Sequence, residues 1–337
     1  MTRHRLGQAW MKASTKNLTT RQWLAIRREI LGSSDAAAVV GLNPYRTPMA
    51  VWNDKMGLTP IDDTDPSEAS HWGHVLEPIV ARDWSRQTGY KVRRINAILV
   101  HDQIPWMGCN LDFVCTTPDG PRIVEVKTTA EHNAGRFQDG VPDDHYIQIQ
   151  HQLMVTQLPW AYHVLLIGGQ HLISTRVDAD TEVQAALSQR EQEFWTRIQT
   201  QEPPLGTASV EDILTWQGVR NDDTIALEMD AAWHFKRYAL WSDLAKNAET
   251  EKDTHKAALL RYLGPAKKGF WNDADGNHWS IQVIESQRET INKKELDRID
   301  PDWREVAVTA KKIQSVRITL PQTTRRPGDE SGRLTTK

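Results

Sequence analysis

Apolar positions recur every three to four residues in some windows and alternate in others, and the change of period outlines the elements. TTRQWLAIRREIL reads as a helix over about residues 20–30, with Thr19 or Thr20 as N-cap and Gly32 as its stop. A second helix holds AAAVV, capped by Ser34 or Asp35 and ended by Gly41. Thr47 and Pro48 open a third over PMAVWNDKM, which Gly57 closes. TPIDDTDPSEAS is a polar loop. In HWGHVLEPIVARDWSRQTG, Leu76, Val80 and Trp84 form one helical stripe, with Pro78 near the start or at a kink. Strand patterns then cluster in YKVRRINAILV, PWMGCNLDFVC and PRIVEVKTT. DDHYIQIQHQLMVTQ returns to helical spacing, AYHVLLIGG and HLISTRV read as a hairpin, and TEVQAALSQREQEFWTRIQTQ is a helix opened by a Thr181–Gln184 capping box. Helices, a mixed sheet and further helices packed on it define an α/β or α+β core.

EPPLGTASVEDILTWQGVRNDDT reads as a connector, followed by a long helix over roughly residues 227–263 that Gly264 and Pro265 end. GFWNDADGNHWSIQVI and VRITL suggest a small β-rich piece, with one more capped helix at NKKELDRI. The closing PQTTRRPGDESGRLTTK is polar and expected to be disordered. The expected organisation is a core domain over 1–205, a helical and small β C-terminal extension over 206–320, and a tail over 321–337.

The chain of 337 residues is long enough for one large domain or two modest ones. No apolar run approaches a membrane span, since AYHVLLIGG is broken by His163 and glycines. The basic N-terminus lacks the apolar stretch of a secretory signal. Two cysteines, Cys109 and Cys115, exclude a disulfide framework and a four-cysteine metal site, and a reducing cytoplasm fits. A net charge of −3 argues against a nonspecific DNA coat protein. It leaves room for an enzyme that places cations locally and offsets its own carboxylates with metal ions. The 14 tryptophans serve as core and surface anchors, or for some of them as stacking partners for bases.

The stretch GCNLDFVCTTPDGPRIVEVKTTAEH changes the picture most. A hairpin centred on Pro118 and Asp119 puts Asp112 opposite Glu125, with Cβ atoms about 4.5–5.5 Å apart. Lys127, two residues further, emerges on the same face. Facing carboxylates among apolar neighbours repel and resist desolvation. A divalent cation such as Mg²⁺, which favours carboxylate and water oxygens, relieves both problems. The plain alternative is an edge strand whose Glu125 and Lys127 face water. Glu77 is either a third carboxylate of the site or a charge answering the helix dipole. Gln148 and Gln152 lie one turn apart, with Tyr146 close by, and their amides suit a water nucleophile or a phosphate, or a solvated face. Arg27 precedes a Ser-Ser-Asp helix start and with Ser34 can grip a phosphate, or is a surface arginine.

Taken in order, Trp23, Arg27, GSSD at 32–35, GLNPYRTP at 41–48, WGHVLE at 72–77, LD at 111–112, EVK at 125–127 and YIQIQHQL at 146–153 resemble the YqaJ-type viral recombinase family, which includes lambda exonuclease, within the PD-(D/E)XK nuclease superfamily. The resemblance covers about residues 20–200. It implies a restriction-endonuclease-like core with a mixed β-sheet flanked by helices. It also implies an Mg²⁺-dependent deoxyribonuclease, with Mn²⁺ as a substitute, that acts 5′→3′ on linear duplex DNA and leaves single-stranded tails for phage-type recombination. By position, Asp112, Glu125 and the Val126 carbonyl match the metal ligands, and Glu77 matches a further ligand, often through water. Lys127 matches the residue that orients or activates the water, and Gln148 the active-site glutamine. Arg27 and Ser34 match the 5′-phosphate grip, with Tyr146 beside them as a DNA contact. Kinship further implies a homo-oligomeric ring, a single-strand annealing partner and a phage or prophage gene in a bacterial host. Leu111 stands where the superfamily name has Pro, and the region from about 225 onward has no counterpart in a minimal lambda-exonuclease-like chain. The same chemistry also serves a structure- or sequence-selective endonuclease, and a catalytically inactive nuclease-like DNA-binding module is the third reading.

Overall fold

A computed structural model describes residues 5–61, 67–204, 206–218, 223–272, 274 and 278–284. Two compact units divide between Arg220 and Asn221. The first begins with β1 (Arg5–Leu6), β2 (Ala9–Ser14), α1 (Thr20–Arg28), β3 (Leu31–Gly32), α2 (Ser33–Val39), α3 (Pro48–Lys55) and α4 (Glu68–Thr88). It continues with β4 (Val92–Arg94), β5 (Ala97–Val100), β6 (Met107–Asn110), β7 (Phe113–Thr117), β8 (Gly120–Thr129) and a 3₁₀ turn (Glu131–Phe137). Then come α5 (Asp143–Thr156), β9 (Trp160–Ile167), β10 (His171–Asp178), α6 (Thr181–Thr200) and α7 (Val210–Gln217). The second unit holds α8 (Met229–Leu263) and the antiparallel hairpin β11 (Lys268–Asn272) and β12 (His278–Gln282).

The first unit is mixed α/β, as its alternating periods predict. One five-stranded sheet runs β1-β2-β5-β6-β3 and a second runs β10-β9-β8-β7-β4. The pairs β3–β6 and β8–β9 are parallel and the rest antiparallel. Parallel neighbours need a crossover, and α5 supplies it between β8 and β9. The two faces of β8 serve different layers. Ile123 packs with Val114, Ile149 and Leu153 on the α5 side, whereas Val124 and Val126 pack with Val80, Trp84 and Phe113 beneath α4. Glu125 therefore leaves β8 toward α5, in step with Ile123.

Several expected boundaries shift for identifiable reasons. Thr19 caps α1 with a reciprocal Gln22 bond, but the helix ends at Arg28, not at Gly32. Leu31 and Gly32 are drawn into a ladder with Met107 and Gly108, and Gly32 becomes the N-cap of α2 in place of Ser34 or Asp35. Thr47 and Gly57 bracket α3 as expected. Ser67 caps α4, so the polar loop ends earlier than its composition suggests, and Pro78 lies inside the helix. At α6 the cap is Asp180, whose carboxylate accepts from Glu182 and Val183 amides, and Thr181 is merely the first helical residue. The expected connector contains α7, docked on α3 by Thr47 Oγ1 to Asp212 Oδ2 at 2.7 Å and Asn53 Nδ2 to the Asp212 carbonyl at 2.8 Å. Segments NKKELDRI, VRITL and 321–337 lie outside the described residues. Among the described residues no helix is long and apolar enough to cross a membrane.

A buried ion pair ties the layers together. His151 of α5 faces two acceptors, Glu191 Oε1 at 2.7 Å and the Gly108 carbonyl at 2.8 Å, so both ring nitrogens donate and the ring is cationic. Burial pushes its pKa down, but the Glu191 carboxylate and the Gly108 carbonyl outweigh burial and hold it above the ordinary histidine value. A raised folded-state pKa adds stability that is complete below about pH 6.5 and fades as pH climbs through the folded value. His151→Ala leaves Glu191 buried without its cation and should cost about 3–5 kcal/mol. Thermal denaturation from about pH 6 to pH 9 should show an alkaline decline in the wild type that is missing from His151→Ala.

Candidate active site

The tight turn fixes the geometry. Thr117 pairs with Gly120 across Pro118 and Asp119, and Gly120 adopts φ +103°, a conformation that favours glycine. The ladder runs back to Phe113 opposite Val124. One step beyond it, at the passage from the first sheet to the second, sits Asp112, level with Glu125. Its Oδ2 accepts from the Val126 amide at 2.9 Å, which anchors it there.

Glu125 is 2 % exposed, yet both of its oxygens are satisfied. Oε1 accepts from Gln148 Nε2 at 2.5 Å and from Lys127 Nζ at 2.8 Å, and Oε2 from Gln152 Nε2 at 2.7 Å. Lys127 Nζ also donates to Gln148 Oε1 at 3.1 Å, closing the network. Burial pushes the Glu125 carboxyl up, but the Lys127 ammonium and the Gln152 amide outweigh it and hold the group below the ordinary glutamate value. Burial opposes charge on Lys127, and the carboxylates of Glu125 and Asp112 more than restore it, so its pKa is raised and it is an ammonium. Asp112 fares differently. Burial and then the Glu125 charge push its carboxyl well above the ordinary aspartate value, and Lys127 and the Val126 amide offset only part of this.

Glu77 faces the same space from α4. Arg94 Nη2 holds its Oε2 at 3.2 Å, and burial still raises its pKa. Glu77, Asp112, Glu125, Val126, Lys127 and Gln148 line one cavity of about 380 Å³, and Trp23, Arg27, Ser33 and Ser34 line it too. Arg27 Nη2 donates to Ser34 Oγ at 2.6 Å, and its guanidinium lies 4.6 Å from the Trp23 ring centre.

That Arg27–Ser34 wall is set by Asp35, which is fully buried. Asp35 accepts from the Gly32 amide at 3.1 Å and pairs with Arg46 and, at 2.7 Å, with Lys55. Lys55 in turn donates to the Arg27 carbonyl at 2.9 Å. Burial would raise the Asp35 pKa, but Lys55 and Arg46 drive it far below the ordinary range. Arg46 and Lys55 carry no signal of this role in sequence, because their partner is 11 and 20 positions away. Gln152, the second amide of the Gln148–Gln152 pair, takes the other oxygen of Glu125. His74 also lines the cavity, its Nδ1 donating to the Ser70 carbonyl at 2.8 Å. Tyr146 is not brought to this place. Its hydroxyl donates to Asp180 Oδ2 at 3.1 Å and it lines a separate cavity with Asp178 and Asp180.

No trio of His, Cys, Asp and Glu gathers into a metal-binding cluster among the described residues. The donor chemistry nonetheless suits a hard divalent cation. Asp112, Glu125 and the Val126 carbonyl offer oxygen only, and the charge on Asp112 lacks full compensation from the protein itself.

Residues 22–159 match the YqaJ-like viral recombinase domain. The uncharacterised protein YqaJ of Bacillus subtilis strain 168 is 32 % identical over 302 residues, covering 85 % of this chain and 94 % of that one. The chain belongs to the YqaJ-like viral recombinase family. Among solved structures, an alkaline exonuclease (LHK-Exo) of Laribacter hongkongensis is 20 % identical, covers 54 % of this chain and 93 % of its own, and aligns with a TM-score of 0.46. A phage-related exonuclease of Haemophilus somnus 129PT is 11 % identical, covers 53 % and 99 %, and scores 0.39.

Because the folded-state pKa of Asp112 is raised, its ionisation costs stability as pH rises from about 3.9 through the folded value. Asp112→Asn should therefore melt higher than the wild type at neutral pH in EDTA, by about 2–4 °C for each kcal/mol recovered. The difference should vanish below about pH 4, and a millimolar divalent cation should stabilise only the wild type. Differential scanning calorimetry with and without EDTA checks all three outcomes.

Proposed function

We propose that the protein is a divalent-metal-dependent DNA nuclease that degrades linear duplex DNA from its ends, 5′→3′, and leaves single-stranded tails for phage-type recombination. The observation that carries this reading is the meeting, in one cavity, of the Asp112–Glu125–Lys127–Gln148 group with the Arg27–Ser34 wall. Membership of a viral recombinase family supports it. The core around β7, β8, α5 and β9 is read as restriction-endonuclease-like. The substrate is the end of a duplex, and the setting is the cytoplasm of a bacterium that carries the phage or prophage. A homo-oligomer and a single-strand annealing partner belong to the same reading.

Asp112, Glu125 and the Val126 carbonyl would hold Mg²⁺ or Mn²⁺, with Glu77 as a further ligand. A bound ion supplies Lewis acidity toward the phosphate and a more acidic water. The remaining work falls to the protein. Lys127, fixed as an ammonium between Glu125 and Gln148, orients a nucleophilic water and meets negative charge on the phosphate. Gln148 uses its carbonyl on Lys127 and its amide on Glu125, so it keeps both groups in register with the scissile bond. Arg27 keeps guanidinium N–H groups beyond the one given to Ser34, and a terminal 5′-phosphate is their natural acceptor. Gripping the terminal phosphate fixes which bond lies over the carboxylates.

The test is one assay on a 5′-phosphorylated linear duplex and a covalently closed circle, each with Mg²⁺ and with EDTA. The linear DNA alone should shorten, and only with metal. Glu125→Ala and Lys127→Ala should each lower kcat by roughly 10²–10³-fold. Arg27→Ala should erase the preference for 5′-phosphorylated over 5′-hydroxyl ends. Cutting of the circle would favour an endonuclease, and no cleavage by pure protein under any metal would leave a DNA-binding module.

A further inference from the structure

We infer that Arg94 is a positioning residue of the cavity: it holds one oxygen of Glu77 and so presents the other to a divalent cation held by Asp112, Glu125 and the Val126 carbonyl. The inference deepens the proposed function and rests on its reading of the cavity as a metal site. Asp112 is anchored by the Val126 backbone amide, and Glu125 by Lys127 and two glutamine amides. Glu77 stands on a longer and partly exposed side chain. Among the described residues its carboxylate has a single hydrogen-bond partner, Arg94 Nη2 on Oε2 at 3.2 Å, and Oε1 takes no bond. With that bond in place Glu77 still lines the cavity, whereas Arg94 does not. The arginine therefore acts through Glu77 and leaves the space beside Oε1 open.

The sheet seats Arg94 for this task. β4 pairs with β7 so that Arg94 stands opposite Phe113, the residue after Asp112. Its guanidinium lies 5.0 Å from the Phe113 ring centre, a cation–π contact that leaves N–H groups for a carboxylate. Phe113 packs in turn with Val80, which follows Glu77 by one turn of α4. The segment that carries Asp112 thus also supports the arginine that holds Glu77. Arg93, its neighbour in the chain, takes the other face of β4. As a stabiliser of the fold the pair counts for little, because the Arg94 side chain is 46 % exposed and that of Glu77 20 %. As an outer partner of a ligating carboxylate it counts for more. A carboxylate already held loses less rotamer freedom when the ion arrives, and repulsion by Asp112 and Glu125 does not swing it into solvent.

Isothermal titration calorimetry of the full-length protein with Mn²⁺, without DNA, tests it apart from any cleavage. Arg94→Met keeps an aliphatic stem over Phe113 and should weaken Mn²⁺ binding about tenfold. Arg94→Lys should keep most of the affinity, because the contact uses one N–H group on Oε2. Arg93→Met removes the same charge from the same strand and should leave the affinity unchanged. In a Glu77→Gln background Arg94→Met should have no further effect, which separates action through Glu77 from a general change in charge. Mn²⁺ affinity that is unchanged or tighter in Arg94→Met would overturn the inference. So would an equal loss in Arg93→Met or in the Glu77→Gln background, and so would a wild type that takes up no Mn²⁺. A wild type that binds Mn²⁺ with this pattern of variants but cleaves no DNA in the assay above would sink the nuclease reading and leave this one standing. Metal-dependent cleavage by a wild type whose Mn²⁺ affinity Arg94→Met does not alter would do the reverse.

Discussion

A single buried carboxylate governs the first unit. Glu125 has left water almost completely, and an isolated ionised carboxylate in such a place is tens of kcal/mol out of balance by simple solvation arguments. Three donors restore the balance, and the architecture is arranged so that all three arrive. Lys127 comes from the same face of the same strand. Gln148 and Gln152 come from one stripe of α5, which must cross over because β8 and β9 are parallel. Shifting α5 by one residue would turn both amides away and leave the charge to Lys127 alone, so helix register and strand register are locked to each other.

Asp112 shows what the protein leaves undone. It faces the same cavity as Glu125, and the lysine that compensates one carboxylate cannot fully compensate two. Buried ionic groups of this kind are poor stabilisers, since hydrophobic replacements of similar volume often serve stability better. Asp112 in its buried place beside Glu125 is thus a cost to the fold. A second ionic group, Asp35 with Arg46 and Lys55, works by the opposite logic. It is fully compensated, and its effect is positional: it holds the end of α1 against the start of α2 and so places Arg27 and Ser34 beside the cavity.

What could be read from the sequence follows from range. The Pro118–Asp119–Gly120 turn is local, and it carried the strand register and with it the placing of Asp112 beside Glu125. Caps at Thr19 and Thr47 and the Leu76–Val80–Trp84 stripe are local as well. Short pairings escaped notice. Leu31 and Gly32 make a two-residue strand only because Met107 and Gly108 lie alongside, and no period exists over two residues. Tyr146 illustrates the risk of proximity along the chain. It precedes Gln148 by two positions, about 200° around a helix, and so it shares its side with Gln150, which also bonds to the Asp178–Asp180 segment. Asp35 and its partners needed the fold, because arginine and lysine at unrelated spacings look like any surface cations until a buried carboxylate joins them.

The near-neutral overall charge then acquires a physical sense. A polyanion approaching a cavity that holds Glu77, Asp112 and Glu125 meets repulsion unless positive charge is placed within a few ångströms, inside the screening length of about 8 Å at physiological salt. Arg27 and Lys127 supply that charge at fixed positions, and a divalent ion between the carboxylates would supply the rest. Nonspecific basicity over the whole surface would instead favour sliding along any duplex, with little premium on an end. Arg27 and Lys127 lie inside that cavity, whereas over the whole chain the 44 acidic residues slightly outnumber the 41 lysines and arginines. At a net charge of −3, attraction for a polyanion falls to cations placed locally, as at this cavity, and not to the surface as a whole.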